Sequence, residues 1–144
     1  MSSIPECFYR VSVKALVLNE TKNKFLVAKE ENGNWELLGG GLDWGMSAQE
    51  DLKREIKEET GLKVTFVADT PSYFLTDRRE SDGVRFANVL YETTLEDLNF
   101  TPSDECTELR FVDLEDCRKL DVFPSVLKLA EMFKTNHHKK SNTY

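Results

Sequence analysis

Hydrophobic and polar residues alternate along several short stretches of the chain. In residues 8–18, Val11 and Val13 alternate with Ser12 and Lys14, which is the period of a strand with one buried face. Five further segments are rich in β-branched, aromatic and leucine residues: 24–29, 35–38, 63–73, 84–95 and 105–112. The pattern predicts strands in all six, and the Asn-Gly-Asn turn at 32–34 joins two of them into a hairpin.

Two other segments have the spacing of amphipathic helices. Ser47 followed by Glu50 is a capping-box pattern, and Gly61 stands where a helix C-terminal glycine is favoured. We therefore predict a helix over residues 48–60. A second helix is predicted over 124–134, where a proline opens a run of apolar residues. Strands before and after a central helix, with a second helix at the end, predict an α+β fold in which a mixed β-sheet is sandwiched between α-helices.

The length and composition fit one folded domain. The 144 residues are 40% hydrophobic and 31% charged, as is usual for globular proteins. We assign residues 1–136 to this domain and interpret the polar segment 137–144 as a disordered tail. His137 and His138 are accordingly expected to lack structure rather than to bind a metal.

Charge and cysteine content exclude several classes of protein. A net charge of −7 disfavours binding to long nucleic acids. No apolar run approaches 18 residues and the N-terminus lacks an apolar signal core, so neither membrane spanning nor secretion is expected. The three cysteines, Cys7, Cys106 and Cys117, have no CxxC or Cys/His spacing. This pattern favours a cytoplasmic protein without disulfides or a zinc site.

The predicted central helix carries an unusual cluster of carboxylates. On a helical wheel Glu55, Glu58 and Glu59 crowd one sector, and Glu59 falls within the apolar stripe formed by Leu52 and Ile56. Neighbouring carboxylates repel one another unless a cation holds them. Mg²⁺ and Mn²⁺ prefer oxygen ligands of this kind and keep water and phosphate oxygens as their remaining ligands.

The glycines before the helix add to this picture. Residues 39–41 are three consecutive glycines, which allow the backbone to approach a cation or a phosphate closely. Together with the acidic helix they form the segment GGLDWGMSAQEDLKREIKEETGL over residues 40–62. This segment resembles the Nudix box, the signature of the Nudix hydrolases. It departs from the box at one defined position, Met46, where the family has Glu.

The resemblance implies a Nudix fold, a bound Mg²⁺ or Mn²⁺ ion and a set of site residues. The implied metal ligands are the Gly39 carbonyl and the carboxylates of Glu55, Glu58, Glu59 and Glu105. Arg54 is implied to orient the carboxylates, and Glu55 or Glu105 to act as the general base. Glu105 is chosen because many family members have a Glu six positions before an aromatic residue, here Phe111, although Glu108 is an alternative.

Residues outside the box are candidates for binding the substrate. Arg78, Arg79 and Arg85 are the basic residues near the expected site, and guanidinium groups suit phosphate oxygens. A solvent-exposed hairpin tip is the equally weighted alternative. Trp35, Trp44, Tyr73, Phe74 and Phe86 are candidates for stacking a base, although aromatic residues in strands more often belong to a core.

The resemblance implies a Mg²⁺-dependent hydrolase that cuts the pyrophosphate bond of a nucleoside diphosphate linked to another moiety, with a small nucleotide as its partner. The substitution at Met46 keeps a second hypothesis open, that of a nucleotide-binding or sensor module with little or no turnover. Incubation with Mg²⁺ and a nucleotide panel distinguishes the two. The resemblance also leaves a homodimer open, since dimers are frequent in the family.

Overall fold

The computed structural model describes residues 6–138. The strands are β1 (Arg10–Leu16), β2 (Phe25–Lys29), β3 (Trp35–Glu36), β4 (Gly39–Gly41), β5 (Val64–Val67), β6 (Tyr73–Arg78), β7 (Arg85–Leu95) and β8 (Glu108–Val112). The helices are α1 (Ala48–Thr60), α2 (Leu114–Cys117) and α3 (Pro124–Met132), followed by a 3₁₀ turn at Thr135–His137. None of the described helices is long and apolar enough to cross a membrane.

Strand β1 lies at the centre of a mixed sheet. It pairs in parallel with β7 and antiparallel with β4, while β7 pairs antiparallel with both β5 and β6. A second antiparallel group has the order β3-β2-β8. Backbone hydrogen bonds from Leu26 N to Val17 O and from Ala15 N to Leu38 O, both 2.8 Å, join the two groups side by side.

Helices cover both faces of this sheet. On one face the fully buried Leu52 and Ile56 of α1 pack against Val13 and Leu26. On the other face the buried residues of α3 share a core with alternate residues of β1, β2, β6 and β7: Leu16, Phe25, Val27, Leu75, Leu90, Val126 and Leu129. The predicted α+β sandwich is confirmed, since α1 lies on one side of a mixed sheet and α2 and α3 lie on the other.

The predicted elements differ from the observed ones in three places. The strand predicted over 63–73 ends at Val67, and the segment interpreted as a polar loop from Thr76 begins inside a further strand, β6. The glycines at 39–41, which the predicted strands do not include, form the short strand β4 beside β1. Helix α2 was not predicted, because its four residues are too few to show a hydrophobic period.

Two residues that we assign to the tail, His137 and His138, are packed against the fold. The hydroxyl of Tyr73 lies 2.8 Å from His137 Nδ1 and 2.9 Å from His138 Nε2. The ring of His138 stacks on Phe133 with a centroid distance of 5.1 Å, and this residue is only 6% exposed. Both histidines are therefore packed against the end of the sheet, through contacts that a polar tail sequence does not reveal. Residues 139–144 lie outside the described residues.

Candidate active site

A cleft of about 820 Å³ opens on the face of the sheet that carries α3. Its walls come from β4 and α1, from the β2–β3 turn, from the β6–β7 hairpin and from the start of α3. The acidic residues of the lining are Glu30, Glu36, Glu55, Glu59, Asp77, Glu80 and Glu105, and the basic residues are Lys14, Arg78 and Arg79. Because seven carboxylates face three cationic groups, a polyanionic ligand would need an added cation in this cleft.

Helix α1 delivers the carboxylates to the cleft. The Ser47 side chain accepts a hydrogen bond from Glu50 N at 3.1 Å, and Gly61 ends the helix in the left-handed conformation. Burial of Leu52 and Ile56 fixes the rotation of the helix about its axis. Since Glu59 lies on the same stripe, the packing of the stripe forces its carboxylate into the protein.

Glu59 is a buried acid whose environment disfavours its charge. The residue is 8% exposed, and the backbone N–H of Gly39 donates to its Oε1 at 3.1 Å. Burial raises the pKa of Glu59 to about 8, against the opposing effects of Lys14 and the Gly39 hydrogen bond. At neutral pH the carboxyl therefore keeps a proton unless another cation replaces it.

The second carboxylate in the cleft, Glu55, depends on the lack of a side chain at Gly40. A Cβ at residue 40 would stand 2.8 Å from Glu55 Cδ and about as close to both carboxylate oxygens. Burial raises the pKa of Glu55, while Arg54 opposes this effect. Strand β4 thus leaves room for the Glu55 carboxylate at the cleft wall.

Arg54 connects four carboxylates at the edge of the cleft, of which Glu55 lines it. Its Nη2 donates to Asp43 and Glu55 at 3.0 Å and also to Asp51, and its Nη1 contacts both oxygens of Glu58 at 3.1 and 3.2 Å. These contacts are of the kind required for the orienting role that the resemblance assigns to Arg54. The side chain of Glu58 is 60% exposed and faces Arg54, whereas Glu55 and Glu59 line the cleft.

Asp43 and Asp51 are site-supporting residues that the sequence interpretation missed. Asp51 is completely buried, and its Oδ2 accepts from the Asp43 backbone N at 3.2 Å. The three-residue spacing between Asp51 and Arg54 on a helix was a usable signal, whereas Asp43 reaches Arg54 only through the path of the loop. Asp43 and Asp51 both form ion pairs with Arg54, so an acid at position 46 is not needed to hold the Arg54 side chain in place.

Glu105 and Glu108 occupy different positions around the cleft. Glu105 lies in the turn closed by the Ser103–Cys106 bridge and lines the cleft together with Glu55 and Glu59. Glu108 is the first residue of β8, is exposed, and is not among the described residues that line the cleft. The geometry therefore brings Glu105 into the carboxylate group and leaves Glu108 outside it.

Of the three candidate arginines, two line the cleft and one does not. Arg78 and Arg79 line the cleft, whereas Arg85 is an exposed residue opposite Arg78 in the β6–β7 register. Of the aromatic candidates, Phe86 lines the cleft, Trp35 and Tyr73 are core residues, and Trp44 and Phe74 are exposed elsewhere.

The donor groups of the cleft fit a hard divalent ion. Within residues 6–138 no three acidic, histidine or cysteine side chains are already gathered into a metal cage. Mg²⁺ does not require one, because it is usually held by one or two carboxylates together with waters and phosphate oxygens. The two carboxyls of α1 at this wall both have a raised pKa because of burial, so a cation would compensate the charge that the protein itself leaves unbalanced.

Stability without metal should fall with rising pH. The folded state holds the Glu59 proton up to about pH 8, while the unfolded chain releases it near pH 4.5. The folded state thus binds more protons between these values, and the free energy of unfolding falls across the window by at most about 1.4 kcal/mol per pH unit from this group.

Thermal melts in a chelating buffer should show this decline, and added Mn²⁺ should reduce it. In Glu59→Gln the melting temperature should depend less on pH. Glu50 is an exposed acid in the first turn of α1, and Glu50→Gln should keep the parental dependence of melting temperature on pH. A parental slope in Glu59→Gln would contradict the assignment.

Comparison with known proteins shows the family. A model of the NUDIX domain matches residues 8–132, so the chain belongs to the NUDIX family. A putative 8-oxo-dGTP diphosphatase of Bacillus subtilis (strain 168) is 38% identical over 65 residues, which cover 45% of this chain and 44% of that protein. An RNA pyrophosphohydrolase of Ruthia magnifica is 32% identical over 72 residues, covering 48% of this chain and 40% of the relative. The chain spans less than half the length of these two relatives.

Solved structures share the fold. The crystal structure of a MutT protein from Methanosarcina mazei Go1 superposes with a TM-score of 0.74 and 24% identity, covering 94% of this chain and all of that one. The fold predicted from the resemblance is therefore confirmed.

Proposed function

We propose that this protein is a Mg²⁺- or Mn²⁺-dependent hydrolase that cuts the pyrophosphate bond of a nucleoside diphosphate linked to another moiety, such as a nucleoside triphosphate. The observation that carries the proposal is the buried carboxyl of Glu59, which faces the same cleft as Glu55 and Glu105 beside a glycine strand. Membership of the NUDIX family and relatives named as a diphosphatase and a pyrophosphohydrolase support it.

The proposed metal ligands are the Gly39 carbonyl and the carboxylates of Glu55, Glu58, Glu59 and Glu105. Glu58 belongs to this set through the family resemblance, and its carboxylate contacts Arg54. When bound, a divalent ion supplies positive charge for the phosphate oxygens and lowers the pKa of a water molecule.

The chain's own groups would complete the chemistry. Lys14 and Arg78 line the same cleft and offer N–H donors to phosphate oxygens. Glu105 or Glu55 accepts the proton from the attacking water, since both carboxyls face the cleft. Arg54, held by Asp43 and Asp51, keeps the Glu55 carboxylate oriented as charge builds up on the substrate.

Glu105→Gln should reduce turnover by roughly tenfold or more, and Glu108→Gln should change it less than twofold. The reason is position, since only Glu105 lines the cleft with the carboxylates of α1. The two residues are both exposed and three positions apart, which makes Glu108 a matched control. Steady-state kinetics measure the effect, and equal losses in both variants would remove the basis for assigning Glu105 to the site.

The proposed function is tested by incubating the protein with Mg²⁺ or Mn²⁺ and a panel of nucleotides: nucleoside triphosphates, oxidised nucleoside triphosphates, nucleotide sugars, dinucleoside polyphosphates and ADP-ribose. Release of phosphate or pyrophosphate, measured with and without added phosphatase, should depend on the metal and disappear with a chelator. Binding of nucleotides without any turnover would instead establish the sensor module.

Two further expectations belong to this proposal. The protein is proposed to work in the cytoplasm, which is supported by three free thiols, two of them buried. A homodimer is also proposed from the family resemblance, and light scattering on the purified chain tests it.

A further inference from the structure

We propose that the β6–β7 hairpin is the nucleobase subsite of the cleft and that it selects a base with adjacent N–H donors on its Watson–Crick edge, as guanine has, over adenine. The inference rests on the proposed function, because it names the kind of nucleotide that the same cleft accepts. Two features of the hairpin carry it: a flat stacking surface and, beside it, a polar pair formed by the buried Asn88 and the half-buried Asp77.

The strand registers place these groups on one face of the sheet. Asp77 stands opposite Phe86, and Leu75 stands opposite Asn88, across the β6–β7 pairing. Successive side chains of a strand point to opposite faces, so these four share a face. Leu75 belongs to the core beneath α3, whereas Asp77, Phe86 and Asn88 line the cleft. The polar pair therefore lies where the buried core opens into the cleft.

Arg79 and Phe86 form the stacking surface. The guanidinium carbon of Arg79 lies 5.1 Å from the centroid of the Phe86 ring. The carboxylate of Asp82 holds the guanidinium through two hydrogen bonds: its Oδ1 accepts from Nε at 3.0 Å and its Oδ2 accepts from Nη2 at 2.6 Å. The Asp82 charge offsets that of Arg79, so Arg79 suits a flat aromatic base better than a phosphate. Arg78 and Lys14 remain in the cleft as cationic groups for the phosphates.

Asn88 and Asp77 provide acceptors for the edge of the base. Asn88 is 3% exposed, and its Nδ2 donates to Asp77 Oδ1 at 3.3 Å. An ionised carboxylate can only accept, so the amide NH₂ group must face Asp77, and the Asn88 carbonyl oxygen is an acceptor. The second oxygen of Asp77 is another. A wall with two acceptors matches a base that presents N–H donors.

Guanine and adenine differ at this edge. Guanine carries donors at N1 and at its 2-amino group, whereas the N1 atom of adenine is itself an acceptor. Adenine would place its N1 acceptor against an acceptor of this wall and leave both unpaired, which costs binding free energy. Hypoxanthine keeps the N1 donor and lacks the 2-amino group, so it should rank between the two.

The test compares GTP, ITP and ATP with Mg²⁺ and the full chain. We expect kcat/KM to fall in that order, with GTP at least about tenfold above ATP. In Asp77→Asn the ratio of kcat/KM for GTP to kcat/KM for ATP should drop by roughly fivefold or more. The main cause should be a higher KM for GTP, because the substitution turns an acceptor into a donor. Asp69→Asn, an exposed residue in the loop after β5, is the matched control and should keep the parental ratio.

A second variant addresses stacking separately. Phe86→Leu should raise KM for GTP and ATP by the same factor, because stacking does not distinguish the two bases.

Calorimetric titration with GMP and AMP in the absence of metal measures base preference without turnover. If no nucleotide is hydrolysed, the proposed hydrolase function fails. Tighter binding of GMP than of AMP would in that case still support the nucleobase subsite. Equal or reversed preference for the two bases, or a parental ratio in Asp77→Asn, would overturn the inference.

Discussion

Replacement of Glu59 by glutamine is expected to lower turnover by roughly two orders of magnitude or more while the fold is retained. The substitution keeps the shape of the side chain and the hydrogen bond from Gly39 N, and it removes the charge proposed to hold the metal. In metal-free buffer at pH 8 the melting temperature should rise, because the protein no longer buries an acid with a pKa of about 8.

Two measurements separate this effect from general damage. Titration with Mn²⁺ should show weaker metal binding in Glu59→Gln, and circular dichroism should show an unchanged helix content. Glu50→Gln on the same helix is exposed and should match the parent in rate and metal affinity. Parental turnover in Glu59→Gln would show that the carboxyl is not a metal ligand.

The largest loss of stability is expected from Gly39→Ala. A Cβ at this position would lie 2.1 Å from the carbonyl oxygen of Val13 and 3.0 Å from the Lys14 Cα, both of them backbone atoms of β1. The residue also has a φ of +129°, which L-residues rarely adopt. The pairing of β4 with β1 would have to open, at a cost of about 3 kcal/mol or more.

Gly45→Ala is the matched control for that prediction. Gly45 has a φ of +83°, and no atom lies within 4 Å of the position that a Cβ would occupy there, so only the backbone conformation is penalised, by about 1 kcal/mol. Urea denaturation of both variants should show the much larger loss in Gly39→Ala. Equal losses would mean that the contact between β4 and β1 is less tight than the structure indicates.

Some features could be predicted because they depend on neighbours in the sequence. The bounds of α1 were predicted correctly since Ser47 and Gly61 cap it through bonds within one turn. The inward position of Glu59 followed from helical periodicity, because Leu52 and Ile56 fix the buried stripe. The strand β6 was missed, because its polar end, Thr76 to Arg78, becomes part of a strand only through its pairing with β7.

The sequence by itself determined the family, the acidic helix and the glycines before it, because these are encoded in short-range spacing and residue type. Tertiary structure alone decided which residues share the cleft. It left Arg85 outside the cleft although Arg78 and Arg79 line it, and it joined Asp77 to Asn88 across two strands. The physical reason is that strand register and loop path are set by packing between distant segments, and no local pattern in the sequence records them.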